Sequence, residues 1–312
     1  MKVVALAGGV GGAKLVYGLA KSIPDEDLTV VVNTGDDFEF LGLQICPDLD
    51  TICYTLAGIA NPETGWGRAD ESWHAWQSLG ELGAPTWFRL GDRDLATHIE
   101  RTRRLTEGKS LHQITREFCQ AWGVGPSVLP MSDEAVPTYV KTEGGTVSFQ
   151  EYFVREKYQP AVQGFRFQGA DQAHPAPGVE AALREADLIV ICPSNPWVSI
   201  DPILAISPIR ARLREKPVLA VSPIIGGKAV KGPAAKIFRE MGFEPSAGAV
   251  ARHYGSVLSG FVVDERDRGE VEMIRSSLPD NVSVFTTDTW MKTEEDRVRV
   301  ARDVLDSGKT LI

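Results

Sequence analysis

Near the start of the chain the apolar positions form two compact runs with a helical stretch between them. Lys2 to Ala7 is a short apolar run, Gly8-Gly9-Val10-Gly11-Gly12 a turn, and Ala13 to Ser22 carries Leu15, Val16, Leu19 and Ala20 at helical spacing. After Pro24 and the acidic Asp25-Glu26-Asp27, Leu28 to Val32 is a continuous run of the kind that buries both faces of a strand. From about Thr51 to Gly123 the spacing turns helical, with bulk from Trp66, Trp73, Trp76, Trp87 and Trp122, and predicts a mostly helical insertion over residues 51–123. Between residues 127 and 167, β-type runs at Thr138 to Val140 and Thr146 to Phe153 surround Gly144-Gly145 and predict an antiparallel hairpin or arm. Strand-like runs then recur at Ala186 to Cys192, Pro217 to Val221, Gly260 to Val263 and Val282 to Phe285, with helices at Ala234 to Met241 and about Glu294 to Leu305. Short apolar strands alternating with helices predict an α/β fold: a mostly parallel sheet covered by helices on both faces. With no repeat, low-complexity segment or Ser/Pro-rich linker, the expectation is one elaborated domain over residues 1–312.

Composition narrows the setting. The chain is 43% hydrophobic and 24% charged, ordinary for a globular protein with a buried core. No stretch approaches the roughly 18 uninterrupted apolar residues of a membrane span. The apolar start runs directly into glycines and Lys14, so it reads as a first strand rather than a signal peptide. Cys46, Cys53, Cys119 and Cys192 are scattered, which argues against a disulfide framework and a zinc site and for the cytoplasm. The net charge of −9 argues against a broad nucleic-acid surface. An acidic chain can still meet a phosphate with backbone N–H groups, a few placed cations, or a metal held on its own carboxylates.

All three are present. The turn Gly8-Gly9-Val10-Gly11-Gly12-Ala13-Lys14, after a strand and before a helix, brings backbone close to a ligand and aims N–H groups at it. Lys14 stands where the third glycine of a dinucleotide fingerprint belongs, and the run is not a Walker A loop. The second strand ends in Asn33-Thr34-Gly35-Asp36-Asp37, followed by Cys46-Pro47-Asp48-Leu49-Asp50-Thr51. Carboxyl ends of strands line the crevice of a doubly wound sheet, so Asp36 and Asp37 are expected beside the glycine turn. Carboxylates beside a phosphate repel it unless a hard cation bridges them, which points to Mg²⁺ on Asp36 and Asp50. Asp48 also suits a helix cap, and Asp36 a ribose hydroxyl. Trp87-Phe88-Arg89-Leu90-Gly91-Asp92-Arg93-Asp94 joins aromatic surface to a fixed cation, suiting a flat heterocycle or a carboxylate. Two further strand-end loops, Cys192-Pro193-Ser194-Asn195-Pro196 and Ser222-Pro223-Ile224-Ile225-Gly226-Gly227-Lys228, the latter backed by Lys231-Gly232-Pro233, converge on the same edge. Gly8, Gly9, Gly11, Gly12, Lys14, Ser194, Asn195, Ser222, Gly226 and Lys228 are therefore the expected phosphate and nucleotide contacts. His98, His112 and His253 lack motif context and read as structural, and no G-x-S-x-G nucleophile elbow occurs.

In order along the chain, G-G-V-G-G-A-K, N-T-G-D-D, P-D-L-D-T, R-L-G-D-R-D, S-N-P-x-x-S-I and S-P-I-I-G-G-K resemble the 2-phospho-L-lactate transferase family over nearly the whole sequence. The resemblance implies a Rossmann-like fold, usually a homodimer, acting in coenzyme F-420 biosynthesis. It implies a guanosine diphosphate-linked phospho-acid as donor, 7,8-didemethyl-8-hydroxy-5-deazariboflavin as acceptor, and GMP as leaving group. Acceptor contacts would fall on Asp50 and Arg89, and metal and catalytic carboxylates among Asp36, Asp37 and Asp50. The donor acid, lactyl, enolpyruvyl or glyceryl, stays open, as does the aspartate that takes the proton. The aromatic insertion is a candidate lid for the flat deazaflavin. A nucleotide-sugar-binding regulator of the same fold is the rival reading; a NAD-dependent dehydrogenase is disfavoured by Lys14 and the tandem aspartates.

Overall fold

The apolar runs of the sequence pair into one parallel sheet of seven strands. In this computed structural model, which describes residues 1–229 and 234–312, they are β1 (Val3–Ala7), β2 (Leu28–Val32), β3 (Ser127–Pro130), β4 (Leu188–Ile191), β5 (Val218–Val221), β6 (Gly260–Asp264) and β7 (Ser283–Thr287). Their order is β3-β2-β1-β4-β5-β6-β7, with every pairing parallel. Alternate residues feed two separate cores, because side chains of a strand point to opposite faces. Val4, Leu6, Val31, Ile189, Ile191 and Ala220 pack on one face. Val3, Ala5, Ala7, Val30, Leu188, Val190 and Leu219 pack on the other. Continuous apolar runs rather than alternating ones follow from that double burial.

Several segments differ from the sequence expectation. Ser127–Pro130, expected in the arm, is the edge strand of the main sheet, paired to β2. It is short and ends in proline, which only an edge tolerates, so its pattern carries little strand signal. The arm itself is a three-stranded antiparallel sheet, Gly145–Ser148, Thr138–Thr142 and Val162–Phe167, rather than a single hairpin. The first helix, α1 (Gly9–Ala20), starts inside the glycine run rather than at Ala13. Between β2 and β3 lie a hairpin (Phe38–Phe40 with Leu43–Ile45) and helices α2 (Pro47–Leu56), α3 (His74–Glu81), α4 (Asp92–Thr106) and α5 (Leu111–Ala121). Proline in its first turn, where no backbone donor is needed, lets α2 begin ahead of Thr51. Short helices such as Val179–Glu185, Ser207–Leu213, Ala247–Tyr254 and Val271–Ser277 offered too few turns for a visible period. The last helix, Glu294–Lys309, is capped by Thr293 and continues past Leu305. Lys231-Gly232-Pro233 lies outside the described residues.

Candidate active site

The chain leaves β1 toward β2 and leaves β4 toward β5, so the sheet splits its connections between β1 and β4. A crevice forms beyond the carboxyl ends of strands at such a point. Here the glycine turn after β1 meets the Pro193-Ser194-Asn195 loop after β4. The Gly8 N–H donates to Ser194 Oγ at 3.2 Å, and that hydroxyl donates to the Gly8 carbonyl at 2.8 Å. A Cβ on Gly11 would overlap the Pro193 carbonyl, and one on Gly12 would lie 2.6 Å from Ser194 Oγ. The glycines are thus required by loop-on-loop contact as well as by any ligand. Asn195 caps its own loop, accepting from the Trp197 N–H at 3.1 Å.

Asn33, at the end of β2, organises the carboxylates. Its side-chain oxygen accepts from the Gly35 N–H at 2.8 Å, closing the Thr34-Gly35-Asp36 turn. Its Nδ2 donates to Asp48 Oδ2 at 2.9 Å and to Asp36 Oδ1 at 3.4 Å. Asp48 Oδ1 in turn accepts the Gly9 N–H at 2.7 Å. Asp48 therefore caps α1, across the crevice, and not its own helix. The arm closes this side: the Thr138 N–H donates to the Gly35 carbonyl at 2.6 Å, and Gln150 Nε2 to Asp36 Oδ2 at 3.3 Å. Burial and the neighbouring Asp48 and Asp37 push the Asp36 carboxyl well above its usual range. Burial does the same to Asp37, whose Oδ1 is enclosed without a hydrogen-bond partner. Asp48 is pushed up to about 6 by burial, against the hydrogen bonds from Asn33 and Gly9.

Asp50, one turn into α2, turns toward α4, while its charge still acts on Asp36 and Asp37. Both of its oxygens face the Arg101 guanidinium: Nη1 donates to Oδ2 at 3.1 Å and Nη2 to Oδ1. His98 Nδ1 lies 3.7 Å from Asp50 Oδ2, His98 Nε2 lies 3.4 Å from Asp94 Oδ2, and Tyr54 donates to Asp94 Oδ1 at 2.7 Å. Arg101 and His98 are almost fully buried. Burial still raises the Asp50 carboxyl, with Arg101 and His98 opposing it. Burial also works on Asp94, but hydrogen bonds from His98 and Tyr54 hold it below its ordinary value. Asp50, Asp94 and His98 bring ligand atoms within 4.8 Å of one another, a geometry that can take a metal, yet the guanidinium already occupies that side of Asp50. In the sequence His98 lacks motif context and Arg101 belongs to none of the motifs. Their signal was present: Asp94, His98 and Arg101 repeat at helical spacing on α4, a polar stripe where a packed helix carries apolar residues.

The remaining expected contacts are spread along the edge. Arg89 is exposed and stacks on Trp73 at 4.2 Å and Trp76 at 5.4 Å. Trp87 and Phe88 turn instead into a cluster with Phe38 and Phe40, and Trp122 packs on Tyr54 and Phe118. Lys14 reaches away from the turn and donates to the Met291 carbonyl at 2.7 Å. Ser222 closes its own turn against Ile224, and the Gly226 and Gly227 N–H groups donate to Asp267. Lys228 is exposed in the strand that follows the Gly226-Gly227 turn.

Sheet order, split connections and a glycine turn at the split define a Rossmann-like α/β protein with its crevice at the β1–β4 edge. Two crystal structures of protein BH3568 from Bacillus halodurans, one described as a member of the UPF0052 family, share this fold. Their TM-scores are 0.65 and 0.61 at 15% and 14% identity, and each match covers 97% of this chain and nearly all of the other. The 2-phospho-L-lactate transferase CofD family profile matches residues 3–305, so the chain belongs to that family and is a transferase. It is 48% identical to a phosphoenolpyruvate transferase of Streptomyces griseus over 285 residues, 89% of this chain and 90% of that one. It is 41% identical over 302 residues to the protein of that name from Mycobacterium sp. strain KMS, 88% of this chain and 91% of the other. No helix among the described residues is long and apolar enough to cross a membrane.

Proposed function

We propose that the chain moves a 2-phospho-acid group from a guanosine diphosphate-linked donor to the terminal ribityl hydroxyl of 7,8-didemethyl-8-hydroxy-5-deazariboflavin, releasing GMP, in coenzyme F-420 biosynthesis. The observation that carries it is a pair of buried carboxylates joined by the Asn33 amide, Asp36 and Asp48, of which Asp48 accepts the Gly9 N–H of the glycine turn in a CofD-family chain. The relatives' names favour enolpyruvyl as the transferred acid. In the reaction the acceptor hydroxyl attacks the phosphorus bearing the acid, the bond to the GMP oxygen breaks, and the hydroxyl proton passes to a carboxylate. Asp36, Asp37 and Asp50 are the groups proposed to accept it. Such a step depends on in-line positioning and charge neutralisation.

Mg²⁺ is the proposed cation. Oxygen donors at Asp36 and on α2 suit a hard ion, and the enclosed, unpartnered Asp37 Oδ1 fits a charged neighbour. When bound, the ion supplies charge neutralisation to the diphosphate. The stacked Arg89 on Trp73 and Trp76 fits the flat acceptor. A homodimer acting in the cytoplasm completes the reading. The test is to incubate protein, Mg²⁺, the deazaflavin alcohol and each enzymatically made donor, and to follow GMP and the phosphodiester by mass spectrometry. No product with any donor, together with binding of a UDP-sugar or NAD, overturns it.

A further inference from the structure

The loop after β4 offers three small polar side chains, Ser194, Asn195 and Ser199, and the fold uses two of them internally. Ser194 closes on Gly8 from both sides, accepting its N–H at 3.2 Å and donating to its carbonyl at 2.8 Å. Asn195 accepts the Trp197 N–H at 3.1 Å through its side chain and the Ser199 N–H at 3.0 Å through its carbonyl. Pro196–Ile200 winds into a single wide turn, a form that recurs at functional sites. Asn33 ties that turn to the end of β2, donating from Nδ2 to the Val198 carbonyl at 3.2 Å. Ser199 is thereby set over the start of the glycine turn: a Cβ placed on Gly8 would lie 2.8 Å from Ser199 Cβ and 3.1 Å from its Oγ. Ser199 is mostly buried, and among the described residues its hydroxyl has no hydrogen-bond partner. Unlike the Thr34 and Thr138 hydroxyls it is not sealed in, so an unused donor opens beside Gly8.

Resting on the transferase reading above, we infer that Ser199, rather than Ser194 or Asn195, is the side chain of this loop that binds the donor's diphosphate, its Oγ donating to a non-bridging phosphate oxygen beside Gly8. A hydroxyl drawn mostly out of water loses free energy until an acceptor completes it. An ionised phosphate oxygen is a stronger acceptor than a neutral one. The turn needs such a donor from outside itself. Lys14, the cation that the sequence places there, donates to the Met291 carbonyl instead. Asp48, whose Oδ2 flanks Gly8 opposite Ser199, only accepts when ionised. The two serines of S-N-P-x-x-S-I therefore differ in role: Ser194 shapes the glycine turn, and Ser199 meets what the turn receives.

The experiment compares binding of GDP and of guanosine, with Mg²⁺ present, by the parent, Ser199→Ala and Ser194→Ala, each read by displacement of a fluorescent GDP analogue. Ser199→Ala is expected to weaken GDP by about tenfold or more, the range for a hydrogen bond to a charged group, and to leave guanosine unchanged. Its melting temperature should stay within about 2 °C of the parent's. Ser194→Ala, which strips both bonds from Gly8, is expected to melt lower. Should Ser199→Ala fail to fold, Ser199→Gly replaces it. Unchanged GDP affinity in the Ser199 variant overturns the inference, as does a loss shared equally by guanosine. So does a GDP loss confined to the Ser194 variant, or no GDP binding by the parent. Failure of the transferase reading would look different: the GDP loss falls on Ser199 as expected, and no GMP is released with any donor.

Discussion

Replacing Arg101 by methionine removes the charge of a buried ion pair while keeping an unbranched side chain in its place. Asp50 is then left in the same enclosed position without its guanidinium. Breaking a buried pair from one side costs about 3–5 kcal/mol in general. Here an upper bound can be worked out, because the stranded carboxylate can escape by taking a proton. From the ordinary value of 3.8 for such a group, protonation at pH 7 costs about 1.4 kcal/mol per pH unit, roughly 4 kcal/mol in all, and roughly 1.6 kcal/mol at pH 5. The sign follows from linkage. In the variant the folded-state pKa of Asp50 rises far above the unfolded one, so the folded protein binds the extra proton and gains as the pH falls. Urea unfolding of parent, Arg101→Met and Asp50→Asn/Arg101→Met at pH 7 and pH 5 reads this out. The single variant is expected to lose about 3–4 kcal/mol at pH 7, to recover about 2–3 kcal/mol of that deficit at pH 5, and to be less stable than the double variant at pH 7. A loss under about 1 kcal/mol at pH 7, or a loss independent of pH, would refute the claim that Asp50 and Arg101 form a desolvated pair.

Other expectations are direct. The carboxyls of Asp36, Asp37 and Asp48 are all raised by burial, so the folded protein holds protons that the unfolded chain has lost. Metal-free protein in EDTA should therefore melt at a higher temperature at pH 5.5 than at pH 7.5, and a flat or opposite trend in differential scanning fluorimetry would count against those environments. Gly11→Ala drives a Cβ into the Pro193 carbonyl, a backbone atom that cannot swing aside. It should cost about 1–3 kcal/mol and weaken GDP binding, whereas Gly164→Ala, with open space around it, should stay within about 0.5 kcal/mol. Cys46, Cys53, Cys119 and Cys192 are free and buried; burial raises Cys46 and Cys192, and the Cys119 contact followed by burial raises Cys53. Ellman's reagent should find almost no thiol in native protein and all four after denaturation, and rapid native reaction of any one would contradict the packing. Arg89→Ala should weaken binding of the deazaflavin alcohol more than of GDP in parallel titrations, and the reverse would place Arg89 in the nucleotide half.

How much of this was legible in the sequence depends on whether the signal was local. Strands β1 and β2 stood out because both faces are buried, which leaves an uninterrupted apolar run. The glycine turn and the Asn33–Asp37 strand end were legible for a related reason: the fold rule that ligand crevices lie beyond strand ends converts position along the chain into position in space. Nothing comparable assigns partners to the aspartates of α2. Asp48 and Asp50 lie in one short motif, and the partner of each lies far along the chain: Gly9 across the crevice for one, and Arg101 on α4 for the other. A helix turns about 100° per residue, so two positions apart is enough to send one carboxylate to the phosphate turn and the other to a guanidinium. The only sequence trace of the second partner was the polar stripe Asp94, His98 and Arg101, meaningful once a buried carboxylate is known to face it. The family motif P-D-L-D-T therefore records two environments in one string. Chemistry assigned to the string as a whole has to be divided between them by the structure.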